Sequence, residues 1–585
     1  MANVLSAPQV KNHVHRSGFD LSHRNLFTQK VGEILPVCVQ EVIPGDKFKV
    51  NMSNFMRTQP FDTANFARLR HYVDFYFVPN RLLWQSFPAW IVQTQNSFVA
   101  KSITSGADEF SNQPFITNND IFNYLYYLHN GAGKTLKDEA GFSRYDTSAK
   151  LLSNLGYGDY GVQADGGIKK PSVSNTAVNI FPLLAYQKVY QDYFRFKQWE
   201  KAAPWTCNLD YIQQDSQTHL TVSAAALVKG TNLFDMRYCN YDKDLFNGVL
   251  PTAQFGEEAF ASISGNLDLP TILNGSISSY VQPSVSSGDT QKTLMYNNDG
   301  LISQTAGQLT YGARINVDPV TQEVQTSLSI LSLRQAEALQ KWKEITLMAD
   351  PDYKSQLEAH WNVHISSALS DTCKYVGGMA QNIDISEVIN QNLADNNAAN
   401  LAGNGKLAQN GFFEFESDEY GILIGVSHIK PVIEWSADAV MSPFMFRHLS
   451  TDYAIPEFDS LGMQAMTFDV FPQLSATLGA NYKYPPAFGY LTRYFDYKTS
   501  YDRVNGAFKN SLSNWVLMQR PPLSINQGKL TDTSYLFFKV FPQITDNLFV
   551  STAAAGGSSD SDQFFNSLYL DIKVVRNLSY DGMPY

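Results

Sequence analysis

Several stretches of this chain alternate apolar and polar residues with a period of two, the mark of a strand with one face in a core and the other outside it. In VDFYFVP, residues 73–79, Val73, Phe75 and Phe77 share a face. In LYLDIKV, residues 568–574, Leu568, Leu570, Ile572 and Val574 share one face and Asp571 and Lys573 the other. Between Ile34 and Met52 two β-rich stretches flank Pro44-Gly45-Asp46, residue types that fix a turn. FDVFPQ (468–473) and FKVFPQ (538–543) end alike but lie in windows that do not match, so they read as two strands stopped by Pro472 and Pro542 and not as a repeat. The expected core strands are therefore 34–52, 70–79, 220–228, 412–433, 464–472, 535–543 and 566–576.

Helical spacing is sparser and interrupts these clusters. After Pro182, residues 182–201 place Tyr186, Val189, Tyr190, Tyr193, Phe194 and Lys197 three to four apart. Residues 331–347 do the same with Leu331, Gln335, Ala338, Leu339, Trp342 and Ile345, and a further helix is expected around 353–369. Strands interrupted by helices indicate a β-core with insertions and not a βαβ series. Residues 100–176, rich in Gly, Asn, Ser and Asp, and residues 256–325, rich in Ser, Gly, Asn and Thr, read as surface loops. With 585 residues, the chain needs several domains or one domain with large insertions. Its 13% aromatic and only 17% charged residues suit β-structure and wide contact surfaces. No apolar run approaches the roughly 20 residues that span a bilayer, and the N-terminus lacks an export signal, so membrane insertion is not expected. Cys38, Cys207, Cys239 and Cys373 are far apart and read as reduced core thiols.

A net charge of −11 opposes polyanion binding by the chain as a whole. Residues 1–30 run against it, with Lys11, Arg16, Arg24 and Lys30 against Asp20 alone and His13, His15 and His23 besides. This arm is either a solvated terminus or an element lying on nucleic acid. In 489–510, Arg493, Lys498, Arg503 and Lys509 alternate with Tyr490, Tyr494, Tyr497 and Tyr501. Cations beside flat rings suit single-stranded nucleic acid, and they equally suit a subunit interface.

Motifs for chemistry fail on spacing. NGAGKT (130–135) lacks the first glycine of a phosphate-binding loop, since Leu128 stands there. Glu414, Glu416, Asp418 and Glu419 could hold a hard cation but read first as a solvated hairpin end, and His360 with His364 reads as packing. No catalytic residue and no cofactor are expected.

Nine stretches, in order along nearly the whole chain, carry a resemblance: RSGFDLSH (16–23), EVIPGDKFKVN (41–51), VDFYFVPNRLLW (73–84), LLAYQKVYQDYFR (183–195), MRYCNYDKDLFNGVLPTAQFG (236–256), LRQAEALQKWKE (333–344), YVGGMAQNIDISEV (375–388), IPEFDSLGMQ (455–464) and FGYLTRYFDYKTSYDRVNGAF (488–508). Together they resemble the major capsid proteins of the Microviridae, in the gokushovirus and Bacteroidetes-phage branches. The resemblance implies an eight-stranded antiparallel jelly roll, sixty copies of which form a T=1 icosahedral shell around circular single-stranded DNA. It also implies a small basic DNA-binding peptide, a pilot protein and a host surface receptor as partners, residence in the virion capsid, and assembly in the bacterial cytoplasm. On this reading residues 1–30 are a basic arm, and 31–585 are one capsid domain with insertions at about 100–176, 256–325 (a surface protrusion) and 330–410 (helical). The DNA-facing candidates are Lys11, Arg16, Arg24, Arg493, Lys498 and Arg503. The competing function is a carbohydrate-binding β-sandwich or phage receptor-binding protein.

Overall fold

The alternating segments form long antiparallel strands. The computed structural model describes residues 15–92, 113–163, 166–169, 176–212, 232–257, 330–366, 370–389, 401–472, 487–519, 534–550 and 562–580, with short pieces at 259, 266–267, 295–297, 300–302, 314–315, 525–526 and 529–530. The chain divides into two units, Met1–Ala253 with Asp350–Tyr585, and Gln254–Ala349.

In the first unit the principal strands are β1 (Ser17–Asp20), β2 (His23–Gln29), β3 (Glu33–Val42), β4 (Lys47–Thr58), β5 (Arg68–Pro79), β6 (Arg237–Tyr238), β7 (Lys374–Asn382), β8 (Asp384–Ile389), β9 (Leu401–Glu416), β10 (Gly421–Val432) and β11 (Phe564–Arg576). They make two antiparallel sheets. In one, β1 and β2 both pair with β11, followed by β4, β9 and β8. In the other the order is β7, β5, β10, β3, β6.

The sheets meet through aromatic rings: Phe75 lies 5.0 Å from Phe413, and Phe77 4.9 Å from Phe415. A buried polar seam crosses the same gap. His71 on β5 bonds Gln409 on β9 at 3.0 Å and Ser427 at 2.9 Å, and burial lowers its imidazole to a pKa of about 4.

The two sheets differ in what covers their outer faces, and their sequences reflect it. Along β4, KFKVNMSNFMRT, exposed and buried residues alternate strictly, because only one face of the first sheet is packed. By contrast β10 begins GILIGVSHI, nine consecutive buried residues, because both faces are covered. The cover includes the helix Phe181–Val189, whose Tyr186 hydroxyl donates to the Ile34 carbonyl at 2.8 Å. The Pro44-Gly45-Asp46 turn forms as expected: Gly45 sits at φ +87°, and the Asp46 carboxylate accepts from Ile43 N–H at 3.1 Å.

Among the described residues the helices of nine residues or more are α1 (Asn118–Asn130), α2 (Arg144–Leu155), α3 (Phe181–Val189), α4 (Ile330–Met348) and α5 (Tyr353–Trp361). Four expectations change. Residues 118–155 are not surface loop: α1 and α2 bury Tyr124, Leu125, Leu128, Leu151 and Leu152, and a capping box of Thr117 and Asp120 starts α1. The helix at 182–201 stops sooner, because a π-turn at Tyr190–Phe194 follows α3 and the Phe194 carbonyl is taken by the Asn240 amide at 2.7 Å. Among the described residues helix in 330–410 ends at Trp361, after which the chain supplies β7, β8 and the start of β9. Finally, 464–472 and 535–543 add no strand to either large sheet. Met463–Thr467 pairs with Ala487–Thr492 in a small separate sheet, while Phe468–Val470 and Ser534–Phe538 are 3-10 turns. The aromatic residues there fill a second core around Trp435, Phe246 and Phe488, so burial, and not ladder bonding, sets their spacing.

The strand expected at 220–228 lies outside the described residues. So does nearly all of the expected projection 256–325. In the second unit the described pieces are α4, a hairpin of Met295–Asn297 with Gly300–Ile302, and a parallel pair, Asn266–Leu267 with Arg314–Ile315.

Candidate subunit-contact and nucleic-acid surfaces

Residues 441–461 expose more large apolar side chains than their length warrants. Pro443 and Pro456 each open a 3-10 turn, and a third turn spans Ser450–Asp452. Such short turns have no buried stripe of their own, so their apolar residues point outward. Phe444 (54% exposed), Met445 (65%), Leu449 (55%), Tyr453 (52%) and Leu461 (62%) form a ridge. The ridge is firmly mounted. Met441 N–H donates to the Val470 carbonyl at 2.7 Å, and Val470 belongs to the second aromatic core. The Asp452 carboxylate accepts from His448 and Leu449 N–H at 3.0 and 2.8 Å, bonds that hold it below the usual carboxylate range. Exposed apolar surface on a rigid support is the character of a protein contact site.

The 489–510 stretch packs beside this ridge and does not form a free cationic strip. Arg447 pairs with Asp496 and lies 3.8 Å over the Tyr497 ring. Lys498 is neutralised by Asp459 at 2.7 Å. Arg493 lies over the rings of Phe458 and Tyr494, at 5.9 and 5.3 Å, and its Nε is buried without a hydrogen-bond partner. Arg503 is exposed, 4.7 Å over Tyr501. Thus these candidates adjoin exposed apolar side chains, and Lys498 is paired with a carboxylate.

The arm candidates separate. Lys11 lies outside the described residues. Arg16 donates to Asn577 at 2.7 Å. Arg24 stands on β2, on the open face of the first sheet, donating to Ser567 at 3.0 Å. That face also carries exposed rings which sequence reading did not gather: Phe55 on β4 and Phe565 and Tyr569 on β11.

The acidic cluster is divided among cations. Glu416 and Glu414 stand opposite Lys47 and Lys49 in the β4–β9 ladder, at 2.9 and 3.4 Å, and Glu419 pairs with Arg81 at 2.9 Å. Asp418 is exposed at the hairpin end. Among the described residues no group of three or more His, Cys, Asp or Glu side chains is arranged to hold a metal ion. NGAGKT follows a helix instead of opening one, with Gly131 closing α1 and Ala132–Thr135 forming a 3-10 turn. All four cysteines are buried free thiols, with burial pushing Cys38 up to about 12 and Cys207 to about 11.

The model of the family described as capsid protein (F protein) matches residues 8–126 and 150–580, most of the chain. The chain belongs to this capsid family. Among its relatives, capsid protein VP1 of Chlamydia phage 1 is 23% identical over 98% of this chain and 96% of its own length. Capsid protein VP1 of Bdellovibrio phage phiMH2K is 22% identical, over 87% of this chain and 86% of its own. That of Spiroplasma virus 4 is 21% identical, over 64% and 61%. All three phages are Microviridae, and this chain is a major capsid protein of that type, with a structural role in a multimeric virion shell. No helix among the described residues is long and apolar enough to cross a membrane.

Proposed function

We propose that this capsid protein is an eight-stranded jelly roll, sixty copies of which close into a T=1 shell around a circular single-stranded DNA genome, with no catalytic activity. The strand order supports the fold. Leaving aside β1, β6 and β8, the sheets read β2-β11-β4-β9 and β3-β10-β5-β7. Consecutive strands switch sheets at every step except from β5 to β7, which is the wrapping of a jelly roll. The apolar ridge at 441–461 is the observation that carries shell formation, because burying the part of each such side chain that a lone subunit leaves in water contributes roughly 1–1.5 kcal/mol.

A subunit of net charge −11 cannot neutralise a genome by its bulk. The remaining phosphate charge falls to a small basic peptide or to cations, while a pilot protein completes the virion and residues 256–325 reach the host surface receptor. Assembly takes place in the bacterial cytoplasm. The test is to replace Phe444 and Met445 with Asp. The account expects folded, soluble subunits with native circular dichroism and no closed shells by electron microscopy. Shells formed at wild-type yield refute the ridge as the contact.

A further inference from the structure

The open face of the first sheet offers a second kind of surface. In a sheet packed on one side, outward positions are normally polar, yet here Phe55 is 44%, Phe565 43% and Tyr569 48% exposed. The register brings them together. On β11, Phe565 and Tyr569 are four residues apart on one face, and Phe55 on β4 stands opposite Ser567, midway between them. The three rings therefore step along the sheet at intervals of about 7 Å measured along the strands.

Cations flank each ring. Arg57 is opposite Phe565 and lies 5.3 Å over Phe55; Arg24 is opposite Tyr569; Lys406 is opposite Arg57 on the next strand. Among the described residues none of the three is ion-paired to a carboxylate, although Asp384 stands opposite Lys406 in the register. Nearby Asp562 is engaged by Lys150 at 2.9 Å and by the Thr28 hydroxyl. At the other end of the same face the cations are consumed: Lys47 and Lys49 pair with Glu416 and Glu414, and Lys573 with Asp20 and Asp571. The face is thus polarised in charge: the exposed Phe412 at the other end has Lys49 5.3 Å over its ring, but that lysine is paired with Glu414, whereas the cations beside Phe55, Phe565 and Tyr569 have no carboxylate partner among the described residues.

We propose that this end of the face, Arg24, Phe55, Arg57, Lys406, Phe565 and Tyr569, is a binding platform for single-stranded DNA, resting on the reading of the chain as the shell of such a genome. Cations neutralise phosphates, and rings stack on bases. Duplex DNA does not fit, because its bases are already stacked on one another. A basic peptide is repelled by the same cations. The site accepts any sequence, since every base has a flat face and no element here reads base edges.

Two variants test it in the full chain: Arg24→Gln with Arg57→Gln and Lys406→Gln, and Phe55→Ser with Phe565→Ser and Tyr569→Ser. Binding of a fluorescent oligothymidylate is measured against salt, alongside shell yield and packaged DNA. The cation variant is expected to flatten the slope of log affinity against log salt by about 2, which follows from roughly 0.7 per phosphate contact. The ring variant is expected to keep the slope and lose roughly tenfold in affinity per ring. Both are expected to form shells with less DNA. Unchanged affinity and DNA content overturn the platform, as does a duplex that binds as tightly as the single strand. Lost shells with affinity retained overturn it too, assigning the face to a subunit contact. If the wild-type chain itself forms no DNA-containing shell, the reading beneath the platform has failed, a result visible before any variant is made.

Discussion

Lys539→Met is expected to be among the most damaging single changes outside the sheets. Its ammonium is fully buried, ion-paired with Glu139 and 3.6 Å from Glu200, and lies 5.2 Å over the Tyr190 ring. Glu139 in turn lies 3.6 Å from the guanidinium of Arg237 on β6. One lysine thus ties together the α1–α2 connection, the segment after α3 and the C-terminal region. Removing one partner of a buried pair costs about 3–5 kcal/mol, because the other charge stays buried. Arg237 remains beside Glu139, so the lower end, about 3 kcal/mol, applies.

The pH dependence has a definite sign. Burial alone raises the Glu139 carboxyl, but Lys539 and Arg237 outweigh it and hold the group below its usual value. A carboxylate depressed in the folded state contributes stability above its unfolded pKa and loses it as pH falls through the folded value. The variant has lost the larger part of that contribution. Its deficit in urea denaturation, followed by circular dichroism on dissociated subunits, is therefore largest near pH 7 and shrinks as the solution is acidified through the carboxylate range. Lys539→Met combined with Glu139→Gln costs less than the sum of the single changes. A deficit below about 1 kcal/mol, or strict additivity, refutes the reasoning.

His71, lowered to about 4 by burial between the sheets, binds a proton more readily when unfolded, so it subtracts stability as pH falls from 6.5 towards 4. Buried His428 acts in the same direction and Asp74, pushed up to about 6 by burial, in the opposite one. His71→Gln is expected to remove close to one proton from the slope of stability against pH in that window; an unchanged slope excludes His71 as a contributor. Gly32, at φ +81°, has no room for a side chain, since a Cβ would stand 2.1 Å from the Val540 carbonyl oxygen. Gly32→Ala is therefore expected to yield insoluble protein, whereas Gly141→Ala, at φ +86° with nothing within 4 Å, costs only about 1–2 kcal/mol. Equal solubility of the two would contradict the contact. Glu414→Gln and Glu416→Gln, which break exposed pairs, are expected to change stability by less than about 1 kcal/mol, and a larger loss in urea denaturation would give those pairs a structural role.

The sheets were legible where burial is one-sided or complete. β4 and β11 alternate because one face is open, and the alternation in 73–79 found β5, whose burial alternates up to Phe75 and is continuous only beyond it, while β10 is buried on both faces along most of its length. The α1 and α2 region was not legible: its buried tyrosines and leucines lie among Asn, Ser and Gly, and composition alone suggested a loop. FDVFPQ and FKVFPQ misled because their apolar residues are buried by 3-10 turns packed into a core and not by a strand ladder. The exposed rings leave a trace in the sequence. Phe55 and Tyr569 interrupt the polar faces of β4 and β11, and an apolar residue on the wrong face of a strict alternation marks a surface to be covered. Bringing them together required the β4–β11 register, which joins residues some 500 positions apart. Within 489–510 the cations and rings were both present, but Lys498 takes its partner Asp459 from outside the stretch and Asp496 takes Arg447, pairs set by the fold and not by spacing.

The central claim is that this chain closes on itself into a shell. Electron cryomicroscopy of the full-length protein expressed with its genome tests it most directly. The account expects icosahedral particles of sixty copies, with residues 441–461 buried between subunits and the open face of the first sheet turned toward the DNA. Discrete small oligomers, or closed particles in which residues 441–461 remain in solvent, would contradict it.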